Sequence, residues 1–350
     1  MGLFGIAGGI STVVGPTMGG FITDSLGWQW IFFVNVPIGI IALSLIIPYL
    51  PEFRAIVKEK VMDYLGIITF TGTITSFLAA LTFSQLNTVI SQALLDLLWI
   101  FAVIMFSGFI YAERKAKEPV LPLYLFKNSV FTISSVSVFL SGATTLASTV
   151  YILLFLQSVQ GLSPSSSGAY LTPLMFTMII AAILSGQIIS KTGTYKKLAL
   201  ISFAISAVGM FLLSTMTQNT SNLEIIIYEI IAGISAGLAM PLFIIAAQNA
   251  VAKRDLGAVT SSSMYIEQLG SVIGLAVLGT VVNMTLNLNL QNTTVHVSSS
   301  LLATAVHNVF VIAAVLNIMG LLLCFFLKDI YMSDEMEEEK IGCEDALESV

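Results

Sequence analysis

The chain has 350 residues, 56% of them hydrophobic and only 10% charged, with a formal net charge of −6. A soluble domain carries about 25% charged residues, so this composition excludes a water-soluble globular protein. Apolar runs of about 20 residues, the length that crosses a bilayer as a helix, exclude a β-barrel, whose strands are short and alternate; what is left is an all-α, polytopic transmembrane helical bundle, each helix satisfying its own backbone.

In chain order, ten spans are predicted at 2–22, 30–50, 62–83, 94–112, 130–154, 166–189, 197–217, 223–247, 257–282 and 301–327. The first contains Gly15, Pro16, Gly19 and Gly20. Pro16 removes a backbone donor and kinks its helix, and the glycines let a neighbouring helix approach closely. The cluster reads either as a packing surface or as a seal at one side of a cavity. Stretches 51–63 and 113–129 are joints, the second broken by Pro119 and Pro122, and spans 62–112 form a hairpin between them. The last six spans form a block. Within it Glu229 shares a face with Ala232, Gly233 and Ala236, as a functional acid or as a snorkelling interfacial one. Glu267 stands about ten residues into its span, roughly 15 Å deep, where an ionised side chain is costly. Its helical neighbours Thr260, Ser263, Ser271 and Gly274 turn it toward the bundle interior or a wet cavity, where it binds a proton or a cationic substrate, or else is a paired structural carboxylate. Tyr265 and Gln268 flank it as further pocket candidates, and Gly270 and Gly274 as helix-packing positions. His307 in the last span reads more readily as a satisfied interior hydrogen-bonder than as a proton relay. Asp24, Asp96 and Glu224 fall at span edges, as helix starts or loop acids.

All fourteen Lys and Arg fall in the gaps after the second, fourth, sixth and eighth spans or in the C-terminal region. Basic loops stay in the cytoplasm, so both termini are expected there, in a multi-pass protein of the cell membrane. Nine of the twenty acids crowd into 329–350, and residues 1–328 carry thirteen bases against eleven acids. The negative net charge is therefore that of an acidic cytoplasmic tail, not of the body. Sequons at Asn219, Asn283 and Asn292 share the opposite side.

Other chemistries lack a footing. Cys324 and Cys343 give neither a disulfide framework nor metal-ligand spacing. No cofactor, metal or nucleic acid is implied: no phosphate-binding loop appears, the two histidines stand apart with no acidic or cysteine cluster, and no basic patch exceeds short loop anchors.

Several strings resemble one family. Gly15-Pro16-Thr17-Met18-Gly19-Gly20 resembles the antiporter motif in the fifth helix of major facilitator superfamily exporters, and Trp28 to Pro37 resembles the start of the sixth helix in the fourteen-helix drug:proton antiporter branch. Glu118 to Leu121 with Phe126 and Phe131, Gln157 to Pro164 followed by Gly168, and Gln268-Leu269-Gly270 followed by Gly274 are similar to later signatures of that branch, in the same order. Gly186 to Gly193 with Lys196 and Lys197 resembles the family's cytoplasmic loop, with Ser190 in place of its acid; a tight glycine turn with basic anchors at the headgroups is the alternative.

The resemblance implies that the ten spans correspond to the fifth to fourteenth helices, the first four being absent. On that map 1–50 closes the N-terminal half-bundle, 51–129 is the inserted pair with its linkers, 130–328 is the C-terminal six-helix half, and 329–350 is the tail. It further implies a secondary transporter, not an enzyme, exchanging small amphipathic or cationic compounds for protons by alternating access. The alternative is a non-transporting remnant or an accessory bundle whose partner supplies four helices.

Overall fold

The computed structural model describes residues 2–49, 63–84, 91–116, 119–286 and 299–329. The joint at 51–62, the sequon at Asn292, Cys343 and the tail beyond Asp329 lie outside the described residues. Among the described residues every regular element is helical.

The helices are α1 (Gly2–Leu26), α2 (Trp30–Phe33), α3 (Asn35–Tyr49), α4 (Tyr64–Ser84), α5 (Gln92–Lys115), α6 (Ser129–Ser158), α7 (Pro164–Tyr170), α8 (Thr172–Thr192), α9 (Lys196–Ser214), α10 (Asn222–Asn249), α11 (Leu256–Leu286) and α12 (Ser299–Cys324). They make ten rods, because α2 runs into α3 and α7 into α8. Among the described residues, nine helical stretches are long and apolar enough to cross a membrane.

Proline explains the two breaks within predicted single spans. Pro37 and Pro173 sit in the first turns of α3 and α8. Neither can donate to the carbonyl four residues earlier, so the preceding turn ends, at Val34 and at Leu171. Other ends are capped by side chains: Asn128 Oδ1 accepts the N–H of Val130 at 2.9 Å, and Ser221 and Glu224 form a reciprocal capping box. Gly193 closes α8 at φ +65°, a left-handed conformation that favours glycine.

Helices α6 and α8–α12 pack on one another as a six-helix bundle. One apolar cluster fills its end near the 215–221 turn, around Phe155, Leu174, Leu213 and Phe310; a second fills the other end, around Tyr195, Phe203, Leu242 and Phe243. Buried serines stitch across helices, Ser185 of α8 donating to Leu238 O and Ser202 of α9 to Ser235 O, both on α10. The α4–α5 hairpin leans on the bundle through Phe70, whose ring lies 4.9 Å from that of Tyr265 on α11. Buried Glu113 ties the end of α5 to the following linker by accepting the Leu121 N–H at 3.2 Å. The span formed by α2 and α3 buries none of its side chains, while α1 lies along α7 and α8.

Candidate functional site

Two sequence motifs far apart in the chain meet in space. The Pro16 carbonyl of α1 occupies the place where a Cβ on Gly168 of α7 would sit, and the Pro164 carbonyl of α7 does the same at Gly20 of α1. Each helix thus offers a glycine to the other's backbone. Polar contacts surround this interlock. Thr17 donates to Gly168 O at 3.5 Å and lies 3.3 Å from the Thr172 hydroxyl, across the α7–α8 break. Asp24 accepts the Ser165 N–H at 2.8 Å, satisfying a free donor at the start of α7. Gly15 and Gly19, grouped with Gly20 in the sequence reading, have no neighbour within 4 Å of a would-be Cβ. Thr17, Thr172 and the capping role of Asp24 were not foreseen, although Thr17 lies inside the motif; its polarity between glycines was the available signal.

The second close approach joins α6 to α11. Gly142 of α6 is seated on the backbone of Glu267, Gly270 on that of Phe139, and Gly274 on Ala143. Ser263, Gly270 and Gly274 are buried here. Ser271 and Gly274 of the small, polar stripe beside Glu267 therefore face α6, while Thr260 at its start accepts from Gln248 Nε2 of α10 at 2.7 Å. Glu267 itself is partly exposed at the edge of this seam. Tyr265 lies two residues earlier, about 160° around the helix, with its ring on Phe70 of α4, and Gln268 is exposed. The flanking residues thus do not close into one pocket around Glu267.

Glu229 occupies a different environment. It is 0% exposed, and neither carboxyl oxygen has a hydrogen-bond partner. One turn further along α10, Gly233 is seated against Leu174 O and Thr177 of α8, and Gly237 against Met178 and Ala181. Leu171, Leu174, Leu213, Ile225 and Ala232 form the apolar cluster in this part of the bundle. A snorkelling interfacial acid would reach solvent, which Glu229 does not.

His307 stands at a third place, in an open cleft lined by Ser214 to Asn219 and Thr304, its Nδ1 2.6 Å from Ser214 O. A carbonyl only accepts, so Nδ1 carries the proton. The loop from Gly186 to Lys197 is held by the segment that follows α12: Asp329 accepts the N–H groups of Tyr195 at 3.2 Å and Lys196 at 2.8 Å, and Lys196 Nζ donates to Phe325 O at 2.7 Å. Asp329 thereby supplies an acid to a loop in which Ser190 has none. Lys197 is exposed and Gly186 has no near neighbour. Among the described residues no group of three or more His, Cys, Asp or Glu could hold a metal ion.

The profile of the Major Facilitator Superfamily matches residues 1–275. The chain is 37% identical over 282 residues to the multidrug transporter protein MdtP of Bacillus subtilis, covering 81% of this chain and 52% of that protein. It is 34% identical over 280 residues to multidrug resistance protein 3 of the same organism, covering 80% and 54%. An uncharacterized MFS-type transporter of Mycobacterium tuberculosis is 31% identical over 278 residues, covering 79% and 40%. The chain spans about half the length of the curated relatives it matches.

Proposed function

This chain belongs to the Major Facilitator Superfamily, and we propose that it works as a secondary active transporter, exporting small amphipathic or cationic compounds in exchange for protons by alternating access. Its family and its apolar helices make it a multi-pass membrane protein; residence in the cell membrane with both termini cytoplasmic belongs to the proposal. So does the division at residues 50, 129 and 328.

The interlock of α1 with α7 carries the reading. It joins a helix outside the six-helix bundle to one that leads into it, through backbone against glycine and a few hydrogen bonds. Such a contact separates without repacking an apolar core, as rigid-body alternation requires. The names of the two Bacillus subtilis relatives support export of drug-like compounds. Glu267, at mid-depth on α11 and partly exposed, is the proposed coupling residue, taking a proton in competition with a cationic substrate.

The test is reconstitution in liposomes under an imposed pH gradient, with ethidium as the cationic probe. Coupled ethidium and proton fluxes are expected, and Glu267→Gln should abolish the dependence of ethidium flux on the gradient. Absence of both fluxes in the wild-type protein sinks the transport reading. A Glu267→Gln variant that still follows the gradient removes only the role given to that residue.

A further inference from the structure

We propose that Glu229 is a proton-binding carboxyl whose protonation is tied to closure of α1 on α7. The inference rests on the transport reading above and adds a second carboxyl to it: Glu267 is where proton and substrate compete, and Glu229 ties a proton to the gate.

Along α10, Gly237 is seated on Met178 and Ala181 of α8, and Gly233 on Leu174 and Thr177. The same pairing carried back one turn sets Glu229 level with the α7–α8 break at Leu171. The far side of that break is clasped by α1, through the Pro16 carbonyl on Gly168 and Thr17 between Gly168 O and the Thr172 hydroxyl. The break therefore lies between the α1 interlock and the turn of α10 that carries Glu229.

The closed arrangement seals Glu229 completely and gives neither oxygen a donor. Among the described residues no counter-charge faces it. Of the helices packed on α10, α6 offers only Tyr151 as a titratable group and α11 offers Tyr265 and Glu267. Lys191 of α8 and Lys196 and Lys197 of α9 stand at the opposite end of the bundle. Tyr170 lies at the break itself, Tyr228 adjoins Glu229, and Glu224 is committed to the capping box with Ser221. An ionised carboxylate without partners is the costly state in such a place, and the neutral acid is the tolerated one. When α1 leaves α7, the α7–α8 break loses its outer clasp; the break then loosens at Leu171 and admits water to the carboxyl, which releases its proton to that water. Closure needs the proton back. Linkage is reciprocal, so lowering the pH favours the closed interlock as strongly as closure favours protonation.

The experiment reads the gate directly. With Cys324→Ser and Cys343→Ser as background, spin labels at Ser25→Cys and Ser166→Cys, both exposed positions, report the α1–α7 distance in nanodiscs across a pH series, with and without ethidium. The wild-type protein should gain the short-distance population as pH falls. Glu229→Gln, which mimics the protonated acid, should hold the short distance at every pH and lose the response. Glu229→Asp should keep a response with a displaced midpoint, and serves if the Gln variant does not fold; an undisplaced midpoint overturns the assignment. A Glu229→Gln protein that responds to pH like wild type also overturns it, while leaving alternation at this interface intact. A wild-type distance that moves with neither pH nor ethidium ends both.

Discussion

Two glycine-seated contacts, α6 on α11 and α1 on α7, use one device over very different lengths. In both, a missing Cβ lets one helix backbone rest on another. The α6–α11 seam repeats the contact at Gly142, Gly270 and Gly274, along several turns, and is buried within the bundle. The α1–α7 interlock is confined to Gly20 and Gly168 and is rimmed by the Thr17 and Asp24 hydrogen bonds, part of them exposed. Close approach by itself does not decide whether a contact is permanent. We infer that its length, and whether exposed hydrogen bonds between the two helices rim it, do.

The largest effect belongs to the seam. Gly270→Leu puts a side chain where the Phe139 backbone already lies, and a backbone inside a packed helix pair cannot move aside. Overpacking costs about 1–3 kcal/mol, and a backbone clash lies at the upper end of that range. Thermal unfolding in detergent should show the variant strongly destabilised or unfolded. A variant that melts with the wild type would mean that the seam is as loose as the interlock, and the contrast would collapse.

Next comes the α8–α10 contact, which has the seam's glycines and one acid that no packing argument explains. Replacing an unpartnered buried polar group by an apolar one of similar volume recovers its desolvation penalty, about 1–3 kcal/mol. Glu229→Leu should therefore raise the unfolding midpoint. At the same time it should abolish the pH response of the α1–α7 distance. Destabilisation instead would show that the carboxyl is a structural member of the bundle.

The interlock should respond weakly. Asp24→Ala removes one cap from the start of α7, worth about 1 kcal/mol, with little change in the stability of the bundle, since the bond crosses from α1. Its mark should be a larger open population in the spin-label distances. A bundle as destabilised as in Gly270→Leu would make the interlock part of the permanent core.

Much of this contrast was legible in the sequence, and the remainder was not for definite reasons. Apolar runs and the side-by-side distribution of bases announced a helical membrane protein, and Gly15 to Gly20, Pro164 and Gly168 were singled out before they were seen to meet. Local pattern identifies a glycine face but not its occupant. Gly20 and Gly270 look alike in the chain, yet one meets a short helix and the other a long one. The fate of Glu229 depended on which helices cover its face. Ala232, Gly233 and Ala236 foretold packing there, but only the seating of Gly233 on α8 shows the acid sealed in rather than turned toward solvent. Tyr265 was read with Glu267 because they are close in sequence; helical geometry sends it across α11 to Phe70 on α4. The breaks at Val34 and Leu171 were written in Pro37 and Pro173, but an apolar run conceals a break that costs it no hydrophobicity.

The smallest effect lies where the linker before α6 meets the turn before α11. Tyr124 donates to Asp255 at 3.0 Å, and Asn128 Nδ2 donates to Ala250 O at 2.7 Å, pinning the two loops together. The hydrogen bond to Asp255 holds the Tyr124 phenol above its ordinary value of 10, because a phenolate would face a carboxylate. For a group whose folded value is raised, the contribution is whole below the unfolded value and disappears as pH rises through the folded one. The contact should therefore be intact at neutral pH and fail only in the alkaline range. Because Tyr124 is half exposed, Tyr124→Phe should cost about 0.5 kcal/mol or less at neutral pH. The gap between variant and wild-type unfolding midpoints should close as the pH is raised beyond the tyrosine range. A gap that persists there would place the role of Tyr124 in the packing of its ring, and these loops would join the seam as a contact that does not depend on its polar rim.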